Sequence, residues 1–207
     1  MKKIEPIYKI VVLSIDYCGK TSFITRYLDN IYDGNNLTTY GVDFKTKTHL
    51  LKNGTKIKVQ IWDTASGERN MSFNRIFIKY AKGIIILYDI SKRASFDDAK
   101  YYLREIKEYP INDNVIALVG NKLDLDNNDY ISYQTREITT EEGQNFANEN
   151  NLLFFEVSAK NGTNVDKCFN DLIERIYEKE QNNNNESGII IENKIKSKRP
   201  AKRGCLK

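Results

Sequence analysis

The chain has 207 residues, 40% of them hydrophobic, which suits one domain with a real core plus a tail. Its net charge of +4 is unevenly held: the last fourteen residues carry seven Lys and Arg and no acid, leaving the other 193 at −3. That excludes a basic nucleic-acid face on the globular part. The three cysteines supply no disulfide framework, and the longest apolar run, residues 84–88, is far below the ~18 residues that span a membrane. With no signal peptide, a reducing, cytosolic compartment is expected.

Residues 8–13 form the first apolar strand, and a helical pattern follows from Lys20 to about Leu28. Between them lies S-I-D-Y-C-G-K-T-S, one glycine short of G-x-x-x-x-G-K-[ST], in the strand–loop–helix context that a phosphate loop requires. Ser14 stands where that motif begins with glycine. Lys20 is placed to reach β- and γ-phosphates, Thr21 to hold Mg2+, and the helix N-terminal amides to complete the cradle. Residues 29–41 have no period and read as an exposed loop. Strands at 42–52 and 55–62 flank Asn53-Gly54, a type I′ hairpin signal and the single antiparallel pair expected. Buried strands at 83–89, 114–120 and 152–157 then alternate with helices near 95–108, 140–149 and 164–179. Capping boxes are expected at Ser95/Asp98, Thr139/Glu142 and Thr163/Asp166. This alternation gives an α/β fold, a three-layer sandwich that binds ligands at the carboxyl ends of its strands. Residues 181–187, QNNNNES, read as a linker, so the domain is expected over residues 1–180 and a flexible basic tail over 181–207.

Further motifs fall at strand ends. Asp63-Thr64-Ala65 places an acid to hold Mg2+. Asn121-Lys122-Leu123-Asp124 offers a carboxylate at Asp124 that accepts from guanine N1–H and N2–H2 together, a donor pair adenine lacks. Ser158-Ala159-Lys160 can close over the base with a backbone N–H to its carbonyl, and Thr39 supplies a second hydroxyl for Mg2+. Each alone is also a polar turn after a strand; four in one order are not. His49, the one histidine, reads as a surface residue, Cys168 as core, and Cys18 as a partly exposed thiol.

With YGVDFK at 40–45, IWDTASGER at 61–69, IKYAKG at 78–83, NKLD and SAK, residues 7–180 resemble the Ras superfamily of small GTPases and, within it, the Rab branch. The resemblance implies a P-loop NTPase fold with a six-stranded, mostly parallel sheet, GTP or GDP with Mg2+, and a switch in membrane traffic. Phosphate contacts fall on Ser14, Ile15, Asp16, Tyr17, Cys18, Gly19, Lys20, Thr21, Ser22, Thr39, Asp63, Ser66 and Gly67. Metal contacts fall on Thr21, Thr39 and Asp63, and guanine contacts on Tyr32, Asn121, Lys122, Asp124, Ser158, Ala159 and Lys160. The effector region comprises Leu37, Thr38, Tyr40, Gly41, Val42, Asp43, Phe44, Lys45 and Trp62. Implied partners are effectors, an exchange factor, escort or GDI-type proteins and a membrane. The tether would be a prenyl group on Cys205 beside the basic tail, although Cys205 is third from the end and a C-a-a-X box needs it fourth. That implies a cytoplasmic protein, peripheral on the cytosolic face of an intracellular or plasma membrane. No nucleic acid is implied.

The catalytic positions are Lys20, Thr39 and Gly67, and here the chain departs from the pattern. Ser14, Tyr17 and Ser66 replace family glycines, Gly67 replaces the glutamine that orients the attacking water, and Asp16 puts a negative charge where an arginine finger approaches. The expectation is a GTP binder with slow hydrolysis. The alternatives are a pseudo-GTPase scaffold and, more remotely, a P-loop kinase, which Asp124 disfavours. Residues 126–138 read as a surface insertion.

Overall fold

A computed structural model describes residues 6–15, 17–34, 43–63, 77–108, 114–126 and 135–197, with side chains described to residue 184. Six strands form one sheet in the order β2-β3-β1-β4-β5-β6. In chain order they are β1 (Ile7–Leu13), β2 (Asp43–Leu50), β3 (Lys56–Asp63), β4 (Gly83–Asp89), β5 (Val115–Asn121) and β6 (Leu153–Glu156). Every pair is parallel except β2 with β3, which run antiparallel from Asp43↔Asp63 to Leu50↔Lys56. The helices are α1 (Lys20–Asp29), α2 (Arg93–Glu108), α3 (Thr140–Glu149) and α4 (Val165–Ser197). The expected α/β fold with a six-stranded, mostly parallel sheet is therefore the observed one.

Two apolar layers explain the continuous hydrophobic runs. Successive strand residues point to opposite faces, so in β1 Ile10 and Val12 face α1 and α4, while Val11 and Leu13 face α2. In β4, Ile85 and Leu87 enter the first layer, and Ile84, Ile86 and Tyr88 the second. A strand covered on both sides has no polar face to display. In the first layer Phe169 of α4 stacks on Tyr27 and Phe23 of α1, with ring centroids 3.9 and 5.0 Å apart. Burying such a ring contributes ~1.5–3 kcal/mol.

Local chemistry departs from expectation in four places. Among the β2–β3 turn residues only Gly54 has positive φ (82°), so the turn is not type I′. Its N–H donates to Leu51 O at 2.9 Å, and Asn53 Oδ1 accepts from Thr55 N–H instead of the backbone turning left-handed. Of the capping boxes, only Thr139 caps, accepting from Glu142 N–H at 3.1 Å. Ser95 lies inside α2, its buried hydroxyl between the carbonyls of Lys92 and Asp89, and Thr163 donates to Asn161 Oδ1. β6 is only half-buried because it is a sheet edge.

The fourth departure is the 181–187 stretch, which is helical rather than a linker: α4 runs on to Ser197. Residues 165–187 contain neither Pro nor Gly to end it. Among the described residues its last buried side chain is Ile176, and residues 181–184 are exposed.

Candidate functional site

The carboxyl ends of β1, β3, β4, β5 and β6 lie along one edge of the sheet, and the end of β3 with the loops leaving β1, β4, β5 and β6 builds the candidate site. The first loop leaves β1 at Ser14, which is buried with its hydroxyl unpartnered. Ile15 is half-buried between the two apolar layers, and Tyr17, 64% exposed, takes φ 64°. Left-handed backbone costs a residue with a Cβ ~1–2 kcal/mol, so this loop keeps the glycine-type conformation without the glycine.

Gly19, φ 79°, caps α1 without a side chain, leaving the first-turn amides free of side-chain caps. A Cβ there would stand 2.7 Å from Asn121 Nδ2. The next residue, Lys20, is 4% exposed, and its Nζ lies 2.5 Å from Asp63 Oδ1. Thr21 Oγ1 donates to Asp63 Oδ2 at 2.8 Å, and Ser22 follows half-buried in α1. A hydroxyl and a carboxylate sharing one point are the hard oxygen donors that suit Mg2+, and Thr21 and Asp63 would hold the ion there. The residues present fit that ion.

Cys18 corrects the sequence reading. It is fully buried, and burial together with the Asp89 charge pushes its thiol up to about 12, so it is not a reactive cysteine. His49 is likewise half-buried rather than on the surface: Tyr27 Oη is 3.5 Å from its Nδ1, and burial lowers its pKa. Cys168 is core, as expected.

The base-side loops are tied to the phosphate side. Asn121 is buried, its Nδ2 donating to Cys18 O at 2.8 Å and its Oδ1 accepting from Ala159 N–H at 3.1 Å. One amide thus links three loops. Ser158 Oγ, fully buried, donates to Asp124 Oδ1 at 2.6 Å, and Lys160 Nζ lies 3.8 Å from Asp124 Oδ2. These contacts orient the carboxylate. Lys122, at φ 71°, pairs its Nζ with Asp89 Oδ2 at 2.7 Å. Tyr32 stands two residues past the α1 C-cap, Asn30, and is 39% exposed.

Sequence reasoning missed Asp89 and Arg26. Asp89 is wholly buried, its Oδ1 accepting from Ser91 N–H and Oγ at 2.9 and 2.7 Å. The signal was present, since Asp89 ends GIIILYD at the same sheet edge as the other sites. Arg26 gave no signal beyond a basic residue in the last turn of a helix.

Of the residues expected in an effector region, Asp43, Phe44 and Lys45 lie on β2 and Trp62 on β3. Phe44, half-exposed, stacks on Trp62 at 4.9 Å, Trp62 tilts against Phe77 at 5.5 Å, and Lys9 Nζ sits 4.1 Å from the Trp62 ring. Asp43 is exposed, and Lys45 pairs with Asp29 at 3.4 Å. Asp16, Leu37, Thr38, Thr39, Tyr40, Gly41, Val42, Thr64, Ala65, Ser66, Gly67 and Cys205 lie outside the described residues, as do 127–134 of the insertion.

The sequence model of the Ras family matches residues 9–178. The chain is 37% identical over 182 residues to the GTP-binding protein ypt3 of Schizosaccharomyces pombe, covering 88% of this chain and 81% of that one. Ras-related protein Rab-1 of Theileria parva is 34% identical over 206 residues, 99% of this chain and 90% of its own. Ras-related protein Rab-12 of Homo sapiens is 40% identical over 172 residues, 83% and 67% of the two chains. Four loops meeting at one sheet edge and a match along most of the chain agree: this protein belongs to the Rab family of the Ras superfamily of small GTPases.

Proposed function

We propose that the chain is a guanine-nucleotide switch of membrane traffic that hydrolyses GTP slowly. The observation carrying this reading is the single edge on which Lys20, Thr21 and Asp63 assemble on one side and Asp124, Ser158 and Ala159 on the other, joined through Asn121. In it, Lys20 neutralises β- and γ-phosphate charge, and the Gly19–Lys20–Thr21 turn presents its amides to the phosphates. Asp124 accepts from guanine N1–H and N2–H2 while Ser158 holds it in place. Thr21 and Asp63 would hold Mg2+, which would supply charge neutralisation to the phosphates.

Slow hydrolysis follows from three residues. Gly67 has no side chain to orient a water, Ser66 adds a Cβ where the family has glycine, and Asp16 adds an anion to the phosphate-loop sequence. An arginine finger contributes ~10³–10⁵ in rate, and the reaction without one runs at only ~10⁻⁴ s⁻¹. Attachment of the tail to anionic membrane through its basic residues, with a prenyl group on Cys205, belongs to the same reading.

A second reading, a scaffold that holds nucleotide weakly, is favoured by Tyr17 at φ 64° and by the buried, unpartnered hydroxyl of Ser14. One experiment separates the two: denature the purified protein and identify the released nucleotide by chromatography. GTP supports a switch held on; GDP overturns slow hydrolysis; no nucleotide moves the assignment to the scaffold.

A further inference from the structure

Arg26 joins α1 directly to the loop that carries Ser158, Ala159 and Lys160. It lies in the last turn of the helix whose first turn carries Lys20 and Thr21. Its three nitrogens are divided between two segments. Nε donates to Ala159 O at 2.9 Å and Nη2 to Lys160 O at 2.6 Å. Nη1 donates to Asn30 O and Oδ1 at 2.9 and 3.1 Å. A planar guanidinium presents these donors in a fixed fork, which a lysine cannot reproduce.

Two consecutive carbonyls held by one rigid group fix the peptide planes of the loop. The Ala159 N–H is held in turn towards Asn121 Oδ1, and Ser158 of the same loop holds Asp124. Gly162, φ 87°, brings the loop back against Arg26, where a Cβ would sit 3.6 Å from Arg26 Cδ. The other arm ends on Asn30, the left-handed C-cap (φ 55°) from which the chain leaves α1 towards Tyr32.

We propose that Arg26 is a positioning residue for base selection: by fixing the Ala159 and Lys160 carbonyls it sets the loop so that the Ala159 N–H, which here donates to Asn121 Oδ1, turns to the 6-oxo group of a purine when the base binds. In this role Arg26 acts through the loop and makes no contact of its own with the base. The inference rests on the guanine-nucleotide reading above. A helix-capping arginine would stabilise α1 and affect all nucleotides alike, whereas a positioning role acts at one atom of the base.

The test uses the full chain and its Arg26→Ala and Arg26→Lys variants, with affinities measured for GDP and for 6-thioguanosine diphosphate. The thio analogue keeps the N1–H and N2–H2 donors and the phosphates but places a weak acceptor, sulfur, at position 6. Losing an oriented hydrogen bond in a closed site costs about tenfold. Arg26→Ala is therefore expected to weaken GDP about tenfold and the thio analogue less than about threefold, lowering the preference for oxygen; Arg26→Lys falls between. Equal weakening of both ligands, or of neither, overturns the inference and leaves Arg26 a helix cap or a surface residue. Should Arg26→Ala not fold, the Arg26→Lys ratio alone decides, and an unchanged ratio overturns it. If the unmodified chain binds neither diphosphate, the guanine reading itself falls, an outcome distinct from an unchanged ratio.

Discussion

Tyr17 shows at the scale of one residue what the phosphate loop demands. Its φ of 64° is the conformation glycine supplies freely, so the loop imposes its path on a residue that resists it. Tyr17→Gly is expected to raise stability by roughly 0.5–1 kcal/mol, the left-handed penalty less the entropy a glycine loses on folding. Chemical denaturation with an unchanged m-value checks it. Cys18 next to it carries the opposite lesson, since a P-loop cysteine looks exposed in sequence and is buried in the fold. At pH 8 it should resist iodoacetamide in the folded protein and react on unfolding, read by mass spectrometry. Tyr88 is a third case, its buried hydroxyl unpartnered and pressed by the close approach of Gly120 and Gly143. Tyr88→Phe should stabilise by about 1 kcal/mol, because it removes a desolvated hydroxyl and leaves the ring.

At the scale of elements, β2 and α1 are joined by side chains that sequence periodicity does not reveal. Lys47 Nζ donates to Tyr27 O at 2.6 Å and lies 4.1 Å from the Tyr27 ring, with His49 two residues on. Burial lowers the His49 pKa, so between that value and the ordinary ~6.5 the unfolded chain binds a proton the folded chain refuses. Stability from this group is complete above pH ~6.5 and is lost as pH falls through the folded value. Thermal melts from pH 8 to pH 5 should fall less steeply for His49→Asn than for the native sequence. The element boundaries also have physical reasons. Thr139 caps α3 because its backbone is extended (φ −72°, ψ 152°), whereas Ser95 is taken up by the Asp89 carbonyl and never reaches a cap position.

For the whole molecule, α4 sets the border between core and tail. Leu172, Ile173 and Ile176 are buried, Glu180 still pairs with Lys82 at 2.8 Å, and residues 181–184 are exposed. Truncation after residue 180 should leave the melting temperature within a few degrees, since surface changes stay near ±0.5 kcal/mol. Truncation after residue 171 removes three buried aliphatic side chains worth ~2–5 kcal/mol each and should abolish cooperative unfolding. The proposal of slow turnover is tested on the whole site: combining Asp16→Gly with Gly67→Gln should speed single-turnover GTP hydrolysis at least tenfold, by removing an anion and restoring a water-orienting side chain. An unchanged rate would overturn that proposal.

What the sequence determined by itself was everything carried by local pattern. Short uninterrupted apolar runs bounded by turn signals read as buried strands, as β4 is, although the edge strand β6 is only half-buried. Hence the α/β fold and its antiparallel pair were legible in the chain. What tertiary structure alone decided were pairings between distant residues. Arg26 with residues 159 and 160, Asp89 with Lys122, Asn121 with Cys18 and Ala159, and the burial of Cys18 depend on which loops lie side by side. A hydrogen bond between residues 133 positions apart leaves no trace in local periodicity. Sheet order brings such residues together, and only then does geometry decide which donor meets which acceptor.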